Sequence, residues 1–176
     1  MGRVVNWAEA VEESARLRAK GRVIVFTNGH FDLLHYGHVR YLQEARALGD
    51  FLIVGVNSDA STRALKGPGR PLFPAEERAA VVAALACVDR VVIFHSLTAE
   101  ALVEALRPQV YVKGGDWSPR EDGSRPEGPP EAQAVQRYGG QVVFLPYLPG
   151  HSTSDLIARI AALSATGQGE QGHADG

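Results

Sequence analysis

Short apolar runs alternate along this chain with longer segments whose apolar residues recur at helical spacing. The runs are rich in β-branched residues, and their continuous apolar character is typical of strands buried on both faces. Five strands are predicted, over residues 23–26, 51–56, 91–94, 109–113 and 141–145. Six helices are predicted, over residues 6–20, 38–48, 74–87, 99–106, 131–138 and 152–163. The alternation predicts one α/β domain built on a parallel sheet.

The first predicted helix begins with a capping signal. Asn6 is suited to an N-cap position, and Glu9, three residues later, completes a capping box. The apolar residues Trp7, Ala10 and Leu17 are predicted to face the interior. The role of this helix is predicted to be structural.

The strand over residues 23–26 leads through a turn, Thr27-Asn28-Gly29, into a helix that opens with two histidines. His35 and His38 are three residues apart and therefore share one helix face. The first helical turn has unpaired N–H groups and the positive end of the helix dipole, which suits a phosphate. The two histidines could instead be surface residues, a helix cap or half of a metal site, but no third ligand follows at the spacing that a metal site needs.

Polar residues follow other predicted strands. Asn57 and Asp59 come after the second strand, at the end where open parallel sheets bind ligands. Lys66 precedes a Gly/Pro-rich loop, which is either a connector or a lid that brings Lys66 and Arg70 to a phosphate.

Lys113 begins the glycine-containing segment 113–116 after the fourth strand. Trp117 next to it could stack on a base or cover the core, and residues 118–130 are predicted to form a mobile loop.

Three hydroxyl residues, Ser152, Thr153 and Ser154, open the last predicted helix. Capping explains one of them. Three in succession also offer donors to phosphate oxygens beside the free amides of the first turn. Beyond this helix, residues 165–176 have no apolar pattern and are expected to form a disordered tail after a domain over residues 1–164.

Composition excludes several classes of protein. The chain has 176 residues, is 45% hydrophobic and has a net charge of −2, so a strongly basic nucleic-acid surface is not indicated. No apolar run reaches the ~18 residues of a membrane span, and no signal-peptide pattern begins the chain. The single cysteine, Cys87, excludes an internal disulfide and lies in an apolar stretch as a structural thiol. A cytoplasmic protein without nucleic-acid or membrane partners is expected.

Residues 29–38, with the sequence GHFDLLHYGH, resemble the signature of the cytidylyltransferase-like nucleotidyltransferases. Enzymes of this family join a nucleotide to a phosphorylated small molecule and release pyrophosphate. The segments 27–29, 56–59, 65–68, 112–116 and 150–153 together resemble the adenylyltransferases that form ADP-heptose from a heptose 1-phosphate. The resemblance extends from about residue 7 to residue 160. It implies a Rossmann-like parallel sheet of about five strands with helices on both faces.

The resemblance also implies an activity and a site. It implies AMP transfer from ATP, with Mg²⁺, to a sugar 1-phosphate, in which His35, His38 and Lys66 are catalytic. The implied nucleotide-binding residues are Thr27, Asn28, Gly29, Phe31, Asp32, Gly37, Lys113, Gly115, Asp116, Ser152, Thr153 and Ser154. The implied substrate-binding residues are Asn57, Asp59 and Arg78. No protein-only metal site is expected, although Asp32 could position His35 or help to hold a hydrated Mg²⁺. A homodimer and a separate upstream kinase are expected, and His30 departs from the family pattern.

Three other functions compete with this interpretation. One is a CTP-dependent cytidylyltransferase acting on glycerol 3-phosphate or a similar alcohol phosphate. Another is a regulatory module that binds a nucleotide without catalysis, and the third is a plain α/β interaction domain. The joint presence of His35, His38, Lys66 and Ser152 favours an enzyme, because binding alone would not need all four.

Overall fold

The computed structural model describes residues 2–115, 128–146, 148, 150 and 153–166. Strands and helices alternate through these ranges. The elements are β1 (Arg3–Val4), α1 (Trp7–Ala19), β2 (Ile24–Gly29), α2 (Tyr36–Arg46), β3 (Phe51–Asn57), α3 (Asp59–Lys66), α4 (Ala75–Ala83), β4 (Arg90–Phe94), α5 (Glu100–Leu106), β5 (Val110–Gly114), α6 (Pro130–Arg137), β6 (Gln141–Leu145) and α7 (Thr153–Thr166).

The sheet has the strand order β1-β4-β3-β2-β5-β6, and every neighbouring pair is parallel. The chain builds outward from β2 through β3 to β4, then returns to place β5 on the other side of β2. In open parallel sheets, ligands bind outside the carboxyl ends of the strands where the order reverses in this way. Here that point lies between β2 and β5.

The core consists of two apolar clusters, one on each face of the sheet. Ile24 and Phe26 of β2 belong to the cluster that also contains residues of α1, α5 and α6. Val25 belongs to the other cluster, with residues of α2 and α4. Successive strand residues point to opposite faces, and burying each large side chain contributes about 1.5–3 kcal/mol. The predicted α/β architecture with helices on both faces is confirmed.

The start of α1 confirms the predicted capping box. The Glu9 N–H donates to Asn6 Oδ1 and the Asn6 N–H donates to Glu9 Oε2, both at 2.9 Å. The prediction that Trp7 faces the interior was wrong, because 39% of it is exposed. The buried stripe of α1 runs instead through Ala10 and Ser14, which lie four residues apart.

Two elements were missing from the predicted set. β1 is two exposed residues long, too short for an apolar pattern, and it pairs Arg3 with Arg90 at the sheet edge. α3 is capped by Ser58, whose Oγ accepts the Ser61 N–H at 3.3 Å. Its buried residues are polar, Ser61 and Thr62, so apolar spacing could not reveal it.

Several helix ends differ from the predicted bounds, and the largest differences are at the ends of α4 and α7. α4 ends at Ala83, whereas the prediction extended it to residue 87. α7 continues to Thr166, two residues beyond the predicted domain boundary at residue 164. The predicted loop at 118–130 lies outside the described residues except for residues 128–130, as does the remainder of the predicted tail, 167–176. In the described part of the chain, no helix combines the length and apolarity that crossing a bilayer requires.

Candidate active site

A cleft of about 1150 Å³ opens at the carboxyl ends of β2, β3 and β5. Loops and helix openings that follow these strands form its walls, which is the location that the strand order favours. Twelve of the residues singled out in the sequence line it: Asn28, Gly29, Phe31, Asp32, His35, Gly37, His38, Asn57, Lys66, Lys113, Thr153 and Ser154. The fold thus brings together residues separated by more than a hundred positions in the chain.

The opening of α2 presents two stacked imidazoles to the cleft. His35 is the N-cap residue, with extended backbone and no side-chain cap bond, and His38 lies in the first turn. Their ring centroids are 3.9 Å apart with the planes 30° from parallel. The Phe31 ring packs against the His38 ring, with their centroids 5.2 Å apart. The rings therefore form one compact surface beside the amides of the first turn, which is suited to an anion.

Phe31 and Gly29 depend on each other. Phe31 has a positive φ of 47°, a conformation that costs a bulky residue about 1–3 kcal/mol and is typical of functional sites. A Cβ at Gly29 would lie only 3.1 Å from the Phe31 ring. The glycine therefore allows the ring to fold back over the end of β2, toward His38.

Burial keeps two imidazoles of the cleft neutral at neutral pH. Desolvation, followed by the nearby charge of His35, lowers the pKa of His38 from 6.5 to about 4. Desolvation also lowers the pKa of His30 to about 4, and the cations Lys66, Arg78 and Lys113 add to the effect. Nδ1 of His30 lies 3.0 Å from the hydroxyl of Thr62. Sequence analysis assigned His30 no role, yet it lines the cleft.

Two lysines from different elements line the same cleft. Lys66 is the last residue of α3, and Lys113 lies near the end of β5. Burial lowers the pKa of Lys113; the carboxylate of Glu131 opposes this shift and the Lys66 ammonium adds to it. The two ammonium groups are point charges suited to phosphate oxygens.

Asp32 holds the loop that follows α3. The residue is 7% exposed, and its carboxylate forms an ion pair with Arg70 and accepts the Leu72 N–H at 2.7 Å and the Phe73 N–H at 3.4 Å. Arg70 itself lines the cleft. These contacts differ from the two expected roles of Asp32, which were positioning His35 or holding a hydrated Mg²⁺. The observed contacts tie the Gly/Pro-rich loop to the loop after β2.

Arg78 and Asp59 are not among the residues that line the cleft. The guanidinium of Arg78 is 2% exposed and donates to the carbonyl oxygens of Phe73 and Asn57 at 2.9 Å, to the His30 carbonyl, and to Asp59 Oδ1 at 2.7 Å. All the partners belong to segments around the cleft. Arg78 is therefore a brace, and the geometry does not support the direct substrate contact expected for it and Asp59.

Thr27 and Gly115 also lie outside the lining. Thr27 is fully buried, and its Oγ1 lies 2.6 Å from the hydroxyl of Tyr41. That hydroxyl donates to the Val112 carbonyl at 3.0 Å and so links α2 to β5. The N–H of Gly115 donates to the Leu145 carbonyl at 3.1 Å, which extends the β5–β6 pairing. Both residues support the frame of the site.

The opening of α7 faces the same cleft as the opening of α2. Thr153 and Ser154, its first two residues, line the cleft together with His35 and His38. Ser152 and Asp116, which were also expected in the site, lie outside the described residues, as does Trp117.

A hydrogen-bond network that runs from the cleft lining into the interior was not predicted. The hydroxyl of Tyr111 donates to Asn28 Oδ1 at 2.9 Å, and Nδ2 of Asn28 lies 3.5 Å from Oε1 of Glu131. The same Glu131 oxygen accepts the Ala99 N–H at 2.7 Å. Glu131 stands in an ordinary first helical turn after two prolines, so the sequence offered no signal for it.

The described ranges contain no group of three or more His, Cys, Asp or Glu residues that could hold a metal ion. Together the cleft offers imidazole, ammonium, hydroxyl and amide donors and few carboxylates. This donor set suits a polyphosphate.

Comparison with known proteins agrees with this chemistry. Residues 26–159 match the family described as Cytidylyltransferase-like. The "Bifunctional protein HldE" of Trichlorobacter lovleyi is 52% identical over 143 residues, which are 81% of this chain and 28% of that protein. The "Bifunctional protein HldE" of Magnetococcus marinus is 48% identical over 160 residues, 91% of this chain and 31% of that protein. The chain thus spans about three tenths of the length of these curated relatives.

A solved structure is similar over most of the described fold. The "lipopolysaccharide core biosynthesis protein from Thermoplasma volcanium GSS1" aligns with a TM-score of 0.57 and 28% sequence identity. The alignment covers 73% of this chain and 98% of that one.

Proposed function

The chain belongs to the cytidylyltransferase-like family of nucleotidyltransferase enzymes, and from this premise we propose that it transfers AMP from ATP to a sugar 1-phosphate. The acceptor that we propose is a heptose 1-phosphate, which gives ADP-heptose and pyrophosphate.

One observation carries this proposal. The histidines that open α2 and the hydroxyl residues that open α7 line a single cleft, and Lys66 and Lys113 belong to the same lining. Each helix opening supplies unpaired amides and the positive end of a dipole. Two such openings with two ammonium groups suit several linked phosphates better than one.

The proposed reaction is a direct displacement. A phosphate oxygen of the sugar 1-phosphate attacks the α-phosphorus of ATP and forms a new P–O bond. The bond between the α-phosphorus and the α–β bridging oxygen breaks, and pyrophosphate leaves with its electron pair. Such a transfer depends on alignment and on charge neutralisation more than on covalent help from the protein. No covalent intermediate is proposed.

In this mechanism His35 and His38 donate to the nucleotide phosphates and to the charge that develops on them. A neutral imidazole can donate one N–H without the cost of a buried cation, in keeping with the lowered pKa of His38. Lys66 binds the attacking or transferred phosphate. Preorganised donors of this kind are commonly the largest single contribution to catalysis.

The remaining expected contacts are also part of the proposal. Thr153 and Ser154, with Ser152 next to them in the chain, bind the β- and γ-phosphates. Gly29, Phe31 and Gly37 allow the nucleotide to approach the backbone. Contacts to the nucleotide are also proposed for Asn28, Lys113 and Asp116, and contacts to the acceptor for Asn57. Arg78, Asp59, Thr27 and Gly115 are proposed to act indirectly, by holding these residues in place.

We propose that Mg²⁺ enters as part of the substrate, Mg·ATP. The donor set of the cleft fits this, because the carboxylates that line it already have partners in the protein. Asp32 is bound to Arg70 and to backbone N–H groups, Glu44 pairs with Arg40, and Glu131 accepts the Ala99 N–H. Mg²⁺ keeps several waters and uses substrate phosphates as ligands. Its charge would add to that of Lys66 and Lys113 at the phosphates.

The choice of a heptose 1-phosphate rests on the sequence motifs and on the relatives. The motifs resemble those of adenylyltransferases that form ADP-heptose, and the similar solved structure is that of a lipopolysaccharide core biosynthesis protein. We propose that a separate kinase supplies the anomeric phosphate of the acceptor. We further propose a cytoplasmic homodimer whose catalytic domain covers residues 1–164.

A substrate panel tests the proposal. The protein is incubated with Mg·ATP or Mg·CTP and with heptose 1-phosphate, other sugar 1-phosphates or glycerol 3-phosphate, and pyrophosphate release is measured. The proposal predicts release only with ATP and a sugar 1-phosphate, fastest with the heptose. Preference for CTP and glycerol 3-phosphate would overturn it in favour of a cytidylyltransferase. Tight ATP binding without turnover on any acceptor would indicate a regulatory module.

A further inference from the structure

We propose that His30 contacts the phosphate of the acceptor through its Nε2–H group, and that Thr62 is the positioning residue that supports this tautomer. The inference rests on the proposed function, because it assigns the contact to the acceptor of that reaction. Sequence reasoning gave neither residue a role, and Thr62 lies in α3, the helix that apolar spacing could not reveal.

The imidazole of His30 has one nitrogen bound to the protein and one available. Nδ1 lies 3.0 Å from the Thr62 hydroxyl oxygen. Within the described ranges Nε2 has no hydrogen-bond partner, and it is not among the side-chain atoms that are both buried and unpartnered. Nε2 is therefore accessible, and the surface to which His30 contributes is the cleft.

The contact with His30 gives the buried hydroxyl of Thr62 a use. Thr62 is fully buried, and a buried hydroxyl is costly without a hydrogen-bond partner. The neighbouring Ser61 is buried in the same way, and its Oγ accepts Nδ2–H of Asn57, another residue of the lining, at 2.8 Å. The two buried polar residues of α3 thus each orient one side chain of the cleft.

The main chain of His30 is fixed as well. Its carbonyl oxygen accepts an N–H of Arg78, whose guanidinium is buried. With the ring held by Thr62 and the backbone held by Arg78, Nε2 has a defined position before any ligand binds. A donor held in this way does not have to be reoriented when a phosphate arrives.

Lys66 indicates which ligand group Nε2 would meet. Thr62 and Lys66 are four residues apart on α3 and therefore share a helix face. The hydroxyl that binds His30 and the ammonium proposed for the attacking phosphate thus lie on the same side of the helix. His30 and Lys66 both line the cleft, so the geometry places the imidazole beside the phosphate that Lys66 binds.

The tautomer of His30 decides what this nitrogen can bind. Burial, with the nearby cations Lys66, Arg78 and Lys113, lowers the pKa of His30 to about 4, so the ring is neutral at neutral pH and has a single N–H. When Nδ1 accepts the Thr62 hydroxyl proton, that N–H is at Nε2 and can donate to a phosphate oxygen. The other tautomer would present a lone pair to the anion, which is repulsive.

The variant His30→Ala removes the donor and keeps the main-chain carbonyl that Arg78 holds. The KM for heptose 1-phosphate should rise about 10- to 100-fold, the usual cost of a hydrogen bond to a charged group. The KM for Mg·ATP should stay close to its wild-type value. His30→Gln should restore much of the acceptor affinity, because its amide N–H can replace Nε2–H.

His95→Ala is the matched control for these kinetics, since His95 is exposed and outside the cleft lining. Its two KM values should equal those of the wild type. A general distortion of the site would raise both KM values in His30→Ala by similar factors. Such a parallel rise, or an unchanged KM for the acceptor, would overturn the inference.

Thr62→Val tests the positioning role, because valine keeps the shape of threonine and removes the hydroxyl. The ring nitrogen resonances of histidine show which nitrogen carries the proton, and the six histidines can be assigned by substitution. Wild-type His30 should be protonated at Nε2 in the complex with Mg²⁺, an α,β-methylene analogue of ATP and heptose 1-phosphate. Unliganded Thr62→Val should contain both tautomers, and its KM for the acceptor should rise by a smaller factor than in His30→Ala.

The wild-type spectrum decides the matter even if His30→Ala does not fold. A proton on Nδ1 of His30 in the complex, or an Nε2 resonance that heptose 1-phosphate does not shift, would overturn the inference. The proposed function would survive either result, provided that the wild type turns over heptose 1-phosphate. Absence of turnover by the wild type with every sugar 1-phosphate would instead refute the proposed function.

Discussion

The imidazole rings of His35 and His38 stack with their centroids 3.9 Å apart, although a spacing of three residues on a helix requires only that they share a face. The stack places one N-cap residue and one first-turn residue side by side in the cleft lining. A phosphate bound there would meet both rings and the helix amides together.

Replacing His38 by alanine should lower turnover by about 10²–10³, the usual cost of losing one preorganised donor to the transition state. The fold should remain intact, because the ring lines the cleft and belongs to neither apolar core cluster. Steady-state pyrophosphate release and thermal unfolding measure the two effects. His95→Ala is the matched control, since His95 is exposed and outside the cleft lining. Near-wild-type turnover in His38→Ala would remove the imidazole pair from the mechanism.

Cys87→Ala should leave turnover unchanged. Cys87 is half-buried against the apolar cluster on the α2 and α4 side of the sheet, and burial raises the pKa of its thiol. A thiol of this kind is a poor nucleophile. Initial rates of the variant and of the wild type are compared at equal enzyme concentration. A large loss of rate with an unchanged melting temperature would show that the chemistry involves a thiolate.

Arg78→Met should destabilise the fold by about 3–5 kcal/mol, because it removes a buried cation from acceptors that cannot find other partners. The loss should extend to the site, since the guanidinium supports the His30 and Asn57 carbonyls. Denaturant unfolding gives the change in free energy. Arg63→Met is the matched control, because Arg63 is exposed on the neighbouring helix α3. Equal stability of the two variants would contradict the bracing role.

Stability should fall as pH decreases from about 6.5 to about 4, in part because of His30 and His38. Both folded-state pKa values are lowered from 6.5 to about 4, so in this window the unfolded chain binds protons that the folded chain does not. The free energy of unfolding therefore rises with pH across the window.

Other titratable groups also contribute to acid unfolding, so the test compares the loss of stability in the wild type with the loss in a variant. The double variant His30→Gln/His38→Gln should lose less stability than the wild type when denaturant unfolding at about pH 7 is compared with about pH 5. The same loss in both proteins would show that these imidazoles are not buried in their neutral form.

Sequence reasoning predicted the sheet and most helices because continuous β-branched runs and helical apolar spacing report burial directly. It missed α3, because the face that this helix buries consists of Ser61 and Thr62. It missed β1, because two residues at the edge of a sheet are too few to show the alternation of apolar and polar residues that marks a strand. Local patterns cannot show an element whose burial depends on neighbours distant in the chain.

The same distinction applies to the candidate site, where some residues could be predicted from the sequence and others could not. Short-range motifs identified His35, His38, Lys66 and Lys113, whose spacing to strand ends and glycines is visible in the sequence. They could not show that Arg78 turns toward backbone carbonyls behind the cleft. Nor could they show that Glu131 reaches Asn28, 103 positions away in sequence, because such pairs are created by tertiary packing.

The central claim is that two helix openings converge on one triphosphate. It is tested most directly by a crystal structure with Mg²⁺ and a non-hydrolysable ATP analogue, in which the distance from each phosphate to the two openings is measured. The account predicts phosphate oxygens within hydrogen-bonding distance of the His38 ring at α2 and of Thr153 or Ser154 at α7. A triphosphate that contacts one opening and leaves the other facing solvent would contradict it.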